Sequence, residues 1–333
     1  MLTRRTLIAA GAGAALFPAP PPALAQAPAQ AAPARASFAA FVDGVRAEAR
    51  RLGIGDATLQ QAFAGVQPNP RVIELDRNQP EFKMTWPEYR ARMLSDTRVQ
   101  GARDNHARER PLLARVEQRY GVDPRVVVGI WGIESNFGAN RGTFRLVESL
   151  STLAWEGRRA NYFRTELMNA LRILDAGDVT PAKMTGGWAG AMGQPQFMPS
   201  SYLRLAVDFD GDGRRDIWDS RADVFGSIAN YLARNGWRAG EPWGQPVALP
   251  AGFDRAQAGR DNKRGLAEWT RLGVRRDDGR PFGRGDVQGA VVVPDGAAPG
   301  EGYMTYANFG VIRRYNPSDF YALAVGLLGD ASA

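Results

Sequence analysis

The sequence predicts a mainly helical α+β protein with a small β-containing region ahead of its C-terminal helix. Two observations predict it. Apolar residues recur at helical spacing through most of residues 37–235, whereas glycine, proline and charge rise between residues 236 and 300. With 333 residues, 44% of them hydrophobic and 23% charged, the chain can build a large core or two or three subdomains around a cleft.

The first segment reads as an address. Arg4-Arg5 precede a short apolar run from Leu7 to Phe17, followed by Pro/Ala-rich sequence with small-residue sites at Ala23-Leu24-Ala25 and Ala25-Gln26-Ala27. This is the layout of a secretory signal over residues 1–27. Thr3-Arg4-Arg5-Thr6-Leu7-Ile8 resembles a twin-arginine motif, which implies export in a folded state. The alternative, a membrane anchor, needs a longer and less Gly/Ala-rich run, so no stable anchor is expected once the signal is cleaved. Residues 28–36 are Ala/Pro/Gln-rich and read as a disordered linker.

Phe38, Phe41, Val42 and Val45, then Leu52, Leu59 and Phe63, fall at helical spacing. Residues 53–56 break them into two helices, with Asp56 as N-cap of the second. Residues 66–83 are punctuated by Pro and Asn and read as extended. Leu112, Leu113, Val116 and Tyr120 form a helical stripe that Gly121 ends. Asp123-Pro124 then supplies an N-cap and a first-turn proline to a helix through Val126, Val127, Val128, Ile130, Trp131 and Ile133. Being apolar almost all round, that helix is expected to be buried. Residues 144–176 and 223–235 read as further helices, residues 290–293 as a strand and residues 318–328 as the last helix.

Composition narrows the chemistry. The absence of cysteine excludes disulfides, thiolate nucleophiles, Cys-ligated metals and a lipidated N-terminal Cys. His106, the only histidine, lies in a charged stretch and reads as an ordinary surface residue, so multi-histidine metal chemistry is also excluded. The net charge of +7 fits an anionic partner: nucleic acid, an acidic membrane surface or an acidic cell-wall polymer. Nucleic acid rests on charge alone, with no recognisable motif, and is not expected.

Glu134 ends the apolar helix, with Ile130, Trp131 and Phe137 one turn away. A carboxylate among such groups loses hydration, which favours its protonated form and suits a general acid near neutral pH. The plain alternative is a helix-end Glu that reaches solvent or pairs with an Arg. Gly132-Ile133-Glu134-Ser135-Asn136-Phe137-Gly138 resembles the catalytic segment of lysozyme-like lytic transglycosylases. Four further segments follow in order: Gly157-Arg158-Arg159 through Tyr162-Phe163; Gly190 through Gln194-Pro195-Gln196-Phe197 to Tyr202; the Asp-rich loop from Asp208; and Asn308-Phe309-Gly310 through Tyr315-Asn316. Together they resemble the membrane-bound lytic murein transglycosylase B family (family 3 lytic transglycosylases), over residues 37–329.

That resemblance implies a lysozyme-like core at about residues 108–235, an EF-hand-like loop and a periplasmic enzyme acting on peptidoglycan glycan strands. It implies that Glu134 is the single acid/base, cleaving the MurNAc–GlcNAc bond with closure of a 1,6-anhydro ring. By the same carry-over Tyr89, Ser135, Arg158, Arg159, Tyr162, Gln196, Tyr231, Tyr315, Asn316 and Tyr321 line the sugar cleft. The amides of Gln196 and Asn316 suit N-acetyl and hydroxyl groups, and the arginine pair suits lactyl or peptide carboxylates. Taken singly, each tyrosine fits a core or surface role equally well, and the glycines of residues 190–193 fit tight backbone packing as well as a close approach to sugar.

In the Asp-rich loop, carboxylates at positions 1, 3, 5 and 9 with Gly at position 6 match the Ca²⁺-binding EF-hand pattern, although Asp219 stands at position 12 where Glu is usual. The resemblance favours Asp208, Asp210, Asp212 and Asp223 as side-chain ligands with the Arg214 carbonyl, and Asp216 and Asp219 as second choices. The alternative is an acidic turn without metal. The calcium would be structural, and no organic cofactor is implied. Two rival functions remain at this point: a hydrolytic muramidase, which needs a second carboxylate to activate water, and a non-catalytic calcium-dependent peptidoglycan-binding protein.

Overall fold

The computed structural model describes residues 37–78, 84–283, 285 and 287–333. The signal-like segment and the linker, residues 1–36, lie outside the described residues. Four helices open the fold: α1 (Phe38–Arg51), α2 (Asp56–Ala62), α3 (Pro70–Arg77) and α4 (Trp86–Met93). The long α5 (Asp96–Tyr120) leads into α6 (Pro124–Ser135). A two-residue strand β1 (Phe144–Arg145) precedes α7 (Leu146–Glu156) and α8 (Ala160–Asp175), and pairs antiparallel with β2 (Thr185–Gly186). After α9 (Pro199–Leu205) and α10 (Arg221–Arg234) comes the β-containing region. Its strands are β3 (Gly244–Ala248), β4 (Arg264–Gly265), β5 (Arg275–Arg276), β6 (Gln288–Val292) and β7 (Glu301–Thr305), and α11 (Leu266–Arg271) follows β4. They form an antiparallel sheet in the order β4-β6-β7-β3-β5. Two helices, α12 (Ala307–Tyr315) and α13 (Asp319–Asp330), close the chain.

Local chemistry explains most boundaries. Asp123 accepts a hydrogen bond from the Arg125 backbone N–H, Pro124 occupies the first turn of α6, and Gly121 ends α5 in the left-handed conformation. Residues 66–83 depart from the extended reading. Asn69 accepts from the backbone N–H groups of Arg71 and Val72, so Asn69-Pro70 starts α3 instead of interrupting the chain; residues 79–83 lie outside the described residues. Asp56 is the first residue of α2, not its cap, which is Gly55; its carboxylate pairs with Arg50. The helix expected around residues 112–120 begins at Asp96 and accommodates Pro111 in its interior. The expected start of a lysozyme-like core near residue 108 therefore falls inside α5.

Three apolar clusters hold these elements. One joins α1, α2 and α3 to α7, α8 and α9; a second joins α4, α5 and α6 to α10, α12 and α13; a third lies between the sheet and α11. The second positions the site, because α6 and α13 pack backbone to backbone. A Cβ on Gly129 would stand 2.3 Å from the Val325 carbonyl oxygen, and one on Gly329 would stand 2.5 Å from that of Arg125. Glycine at both places lets the helices run antiparallel in direct contact, which brings the start of α13 to the end of α6.

Candidate active site

Glu134 lies in the last turn of α6, half-buried. The Tyr321 hydroxyl, from the first turn of α13, donates a hydrogen bond to its Oε1 at 2.6 Å. Burial, and next the charge of Glu134, push the Tyr321 phenol well above its ordinary pKa; the same two causes raise that of Tyr315. Both phenols therefore keep their protons across the working pH range and act as donors. Tyr315 donates to the Pro195 carbonyl at 2.6 Å, and Tyr231 donates to that of Arg314. Their rings form a continuous aromatic wall: Tyr231 and Tyr315 stand 4.6 Å apart, Tyr315 and Tyr321 lie nearly parallel at 6.4 Å, and Phe197 packs 5.7 Å from both Tyr231 and Tyr315. Tyr89 packs 5.8 Å from Phe320, and its phenol bears electrostatically on Tyr321. Asn316 is exposed directly after Tyr315.

The backbone behind this wall is strained. Among the described residues, the non-glycine residues with positive φ are Asn136, Phe137 and Gln196. All three adjoin the site, and such conformations persist only where surrounding contacts over-determine them. Those contacts are visible. Asn136 and Phe137 turn the chain out of α6, and the Phe137 ring packs edge-on against Trp131 at 5.4 Å. Gln196 donates its amide N–H to the carbonyls of Gly193 and Arg141.

Ser135 is not oriented into the cleft. It is buried; its hydroxyl donates to the Trp131 carbonyl and accepts from the Gly138 N–H, which makes it part of the support. Gln194, next to the expected Gln196, is the residue that sequence reasoning passed over. It is 4% exposed, accepts from the Trp131 indole N–H at 2.7 Å and donates to the Trp218 carbonyl at 2.7 Å. The Arg221 guanidinium sits 4.2 Å over the Trp131 ring and reaches the Phe137 carbonyl. The available signal was an amide between Gly193 and Pro195 in an otherwise apolar stretch.

Arg158, Arg159 and Tyr162 belong to a separate group at the start of α8. Asp76, 4% exposed on α3, binds both guanidiniums, Arg158 at 2.9 Å and Arg159 at 2.6 Å. Burial alone would raise the Asp76 carboxyl, but these two contacts outweigh it and hold it below its ordinary range. Both arginines keep about half of their side-chain surface exposed, and Tyr162 is 47% exposed beside Phe163.

In the acidic loop, carboxylate oxygens of Asp208, Asp210 and Asp212 lie within 4.8 Å of one another. Asp223, expected as a fourth ligand, is not one of the converging carboxylates: it is fully buried, with its two oxygens accepting from the Phe209 and Asp216 N–H groups, and burial first, then the Asp210 charge, push its pKa up to about 6. Three converging carboxylates of this kind, all hard oxygen donors, fit a cation such as Ca²⁺. Asp216 instead accepts from the N–H groups of Trp218 and Asp219, and the Asp219 carboxylate pairs with Arg141 and Lys183. His106 stands apart from all these groups, its ring against the Ser332 carbonyl. A cavity of about 710 Å³ lies beside the sheet, lined by Gln245, Leu266 and Tyr306 and by none of the expected site residues.

Residues 37–330 match the transglycosylase SLT domain family. The chain is 36% identical over 257 residues to membrane-bound lytic murein transglycosylase B of Escherichia coli (strain K12), an overlap of 74% of this chain and 67% of that one. Its fold superposes on SltB3 from Pseudomonas aeruginosa, crystallised in complex with NAG-anhNAM-pentapeptide, with a TM-score of 0.85 and 45% identity over 89% of this chain and 79% of that one. The Escherichia coli lytic transglycosylase Slt35 in complex with calcium superposes with a TM-score of 0.73 and 32% identity, over 89% and 92% of the two chains. Nearly the whole described chain takes part in these matches, and it belongs to the transglycosylase SLT domain family.

Proposed function

We propose that this lytic transglycosylase cleaves the β-1,4 bond between N-acetylmuramic acid and N-acetylglucosamine in peptidoglycan, with Glu134 as its single acid/base. The observation that carries the reading is the half-buried Glu134 carboxyl, hydrogen-bonded by the Tyr321 phenol at one end of a wall of aromatic rings. Protonated Glu134 gives its proton to the glycosidic oxygen as the C1–O bond breaks. The N-acetyl group of the muramic acid stabilises C1, which stands in for the second carboxylate of most glycosidases. The C6 hydroxyl then attacks C1, and its proton returns to Glu134. The product is a 1,6-anhydro ring, and no water is consumed.

The tyrosine wall, Gln196 and Asn316 would hold the sugars, with Arg158 and Arg159 offering charge to lactyl or peptide carboxylates. Asp208, Asp210, Asp212, Asp223 and the Arg214 carbonyl would hold a structural Ca²⁺, a reading supported by the converging carboxylates and by calcium in Slt35. That ion would fix the loop ahead of α10 and take no part in the reaction. A lysozyme-like core at about residues 108–235 would carry Glu134 and the acidic loop, with Tyr315, Asn316 and Tyr321 contributed from the C-terminal helices. The twin-arginine-like start supports a periplasmic location, and among the described residues no helix is long and apolar enough to cross a membrane.

Mass spectrometry of the muropeptides released from purified peptidoglycan tests the reading, with Glu134→Gln beside the parent protein. Products ending in 1,6-anhydro-N-acetylmuramic acid, absent with the variant, are expected. Reducing-end products would make the enzyme a hydrolase, and binding without release would make it a wall-binding protein.

A further inference from the structure

Asp219 does not join the acidic cluster that its place in the loop suggested; it closes a separate cavity. That cavity, of about 420 Å³, has two walls. One is the loop of residues 139–143, which leaves the helix carrying Glu134. The other is the start of β2 with Lys183, and Trp218 and Asp219 form the end between them. The first wall is tied to the cleft: Gln196 donates to the Arg141 carbonyl, and the Asn140 N–H donates to the Ser135 carbonyl at 2.8 Å. The second is tied to the first, because a Cβ on Gly142 would stand 2.2 Å from the Gly186 backbone.

The lining is polar and rich in unspent donors. Lys183 Nζ meets Asp219 at 3.0 Å and keeps 64% of its side-chain surface exposed. Arg141 uses only Nη1, on the Trp218 carbonyl and Asp219, which leaves Nε and Nη2 without a partner among the described residues. The side chains of Asn140, Thr143 and Thr185 make no hydrogen bond within the described residues and line the same space. Two cations thus face one carboxylate, with neutral donors around them. This chemistry suits a hydrated carboxylate, and one wall of the cavity is the loop that follows the helix carrying Glu134.

We propose that this cavity binds a carboxylate of the peptide stem of the glycan strand, with Lys183 and Arg141 as its cationic contacts. The inference rests on the peptidoglycan reading above and adds a specificity element to it. In an intact strand the lactyl carboxyl is consumed in its amide bond to the peptide. The carboxylates that remain charged beside the sugar are therefore those of the stem.

Calorimetry distinguishes the two readings. The titrants are the disaccharide N-acetylglucosaminyl-N-acetylmuramic acid carrying a pentapeptide, and the peptide-free disaccharide with its lactyl carboxyl capped as the methylamide, so that the control carries no carboxylate. Parent protein, Lys183→Ala, Lys183→Glu and Lys183→Arg are compared, with melting temperatures confirming the fold of each. Loss of one charge-assisted contact should weaken binding of the pentapeptide ligand about tenfold in Lys183→Ala. Lys183→Glu should weaken it further and Lys183→Arg should restore it, while the peptide-free ligand binds all four proteins alike. Equal weakening of both ligands, or an unchanged pentapeptide affinity, would overturn the cavity assignment and leave the function standing. A parent protein that binds neither ligand would overturn both.

Discussion

Gly138→Ala tests whether the support behind Glu134 is as tightly determined as its contacts imply. Gly138 has φ +83°, and a Cβ there would stand 2.5 Å from Gln194 Oε1 and 2.9 Å from its Cδ. The left-handed conformation costs an alanine about 1–2 kcal/mol. Gln194 cannot retreat without releasing the Trp131 indole N–H or the Trp218 carbonyl, each held at 2.7 Å in a buried setting. A buried polar group left without a partner costs a further ~1–3 kcal/mol. Together these give a loss of about 2–5 kcal/mol, or roughly 3–8 °C in melting temperature for a folded region of about 300 residues. Gly236→Ala is the control: φ is +91°, but nothing lies within 4 Å of its Cβ, so only the backbone strain remains. Calorimetric melts of both variants, with turnover on purified peptidoglycan, provide the comparison. Gly138→Ala should melt several degrees below Gly236→Ala and lose activity, because the displaced loop leaves directly from the helix that carries Glu134. Equal melting temperatures would show that Gln194 shifts freely, and the rigid-support reasoning would fail.

Tyr321→Phe removes a hydrogen bond to the carboxyl that becomes charged as Glu134 gives up its proton, a contact worth about 1.5–3 kcal/mol to the charged form, so kcat/KM should fall roughly 10- to 100-fold; unchanged kinetics would detach Tyr321 from the chemistry. Chelation of divalent ions should lower the melting temperature and added Ca²⁺ should restore it, with the response lost in Asp208→Asn; a chelator-insensitive melt would leave only an acidic turn. The folded-state pKa of Asp76 is depressed by its arginines, so its contribution is complete above the unfolded-state value and fades as pH falls through the folded one. The gap in melting temperature between the parent protein and Asp76→Asn should therefore be constant near neutrality and close in acid below about pH 4. A gap independent of pH would refute the ion-pair account.

Much of the fold was legible because its signals are local. Asp123-Pro124 and Gly121 act on backbone groups within a turn of themselves, so the boundaries of α6 and the end of α5 follow from short stretches of sequence. Asn69-Pro70 shows the weakness of the same reasoning. The pair that breaks one helix also begins another, and only the apolar contacts of Val72 beyond it decide between the two. Contacts between distant segments left no such trace. Nothing near Gly129 in sequence announces Val325, and nothing near Gln194 announces both Trp131 and Trp218. Ser135 and Asp219 show the corresponding limit for sites. Their positions were visible, but the side-chain directions depend on partners that the sequence places far away in one case and leaves open in the other: Ser135 turns in to its own helix end, and Asp219 turns out to Arg141 and Lys183.

The positions that resist sequence logic also bear on the role proposed for Glu134 as sole acid/base. An acid/base that donates a proton and later recovers it must stay in place while the charge around it changes. Glu134 stands at a helix end, where the chain would ordinarily fray. Here that end is fixed from several sides. The glycines of α6 and α13 lock the two helices in contact, which sets Tyr321 against the carboxyl. Ser135 ties off the last turn, and Gln194 clamps the following loop through Trp131 and Trp218. Left-handed Asn136 and Phe137 are the cost of turning so sharply after Ser135, and Gln196 repeats that strain on the neighbouring segment, which Tyr315 engages through the Pro195 carbonyl. Strain confined to these positions, with rigid aromatic packing around it, is what pre-organisation of Glu134 for its proposed role requires.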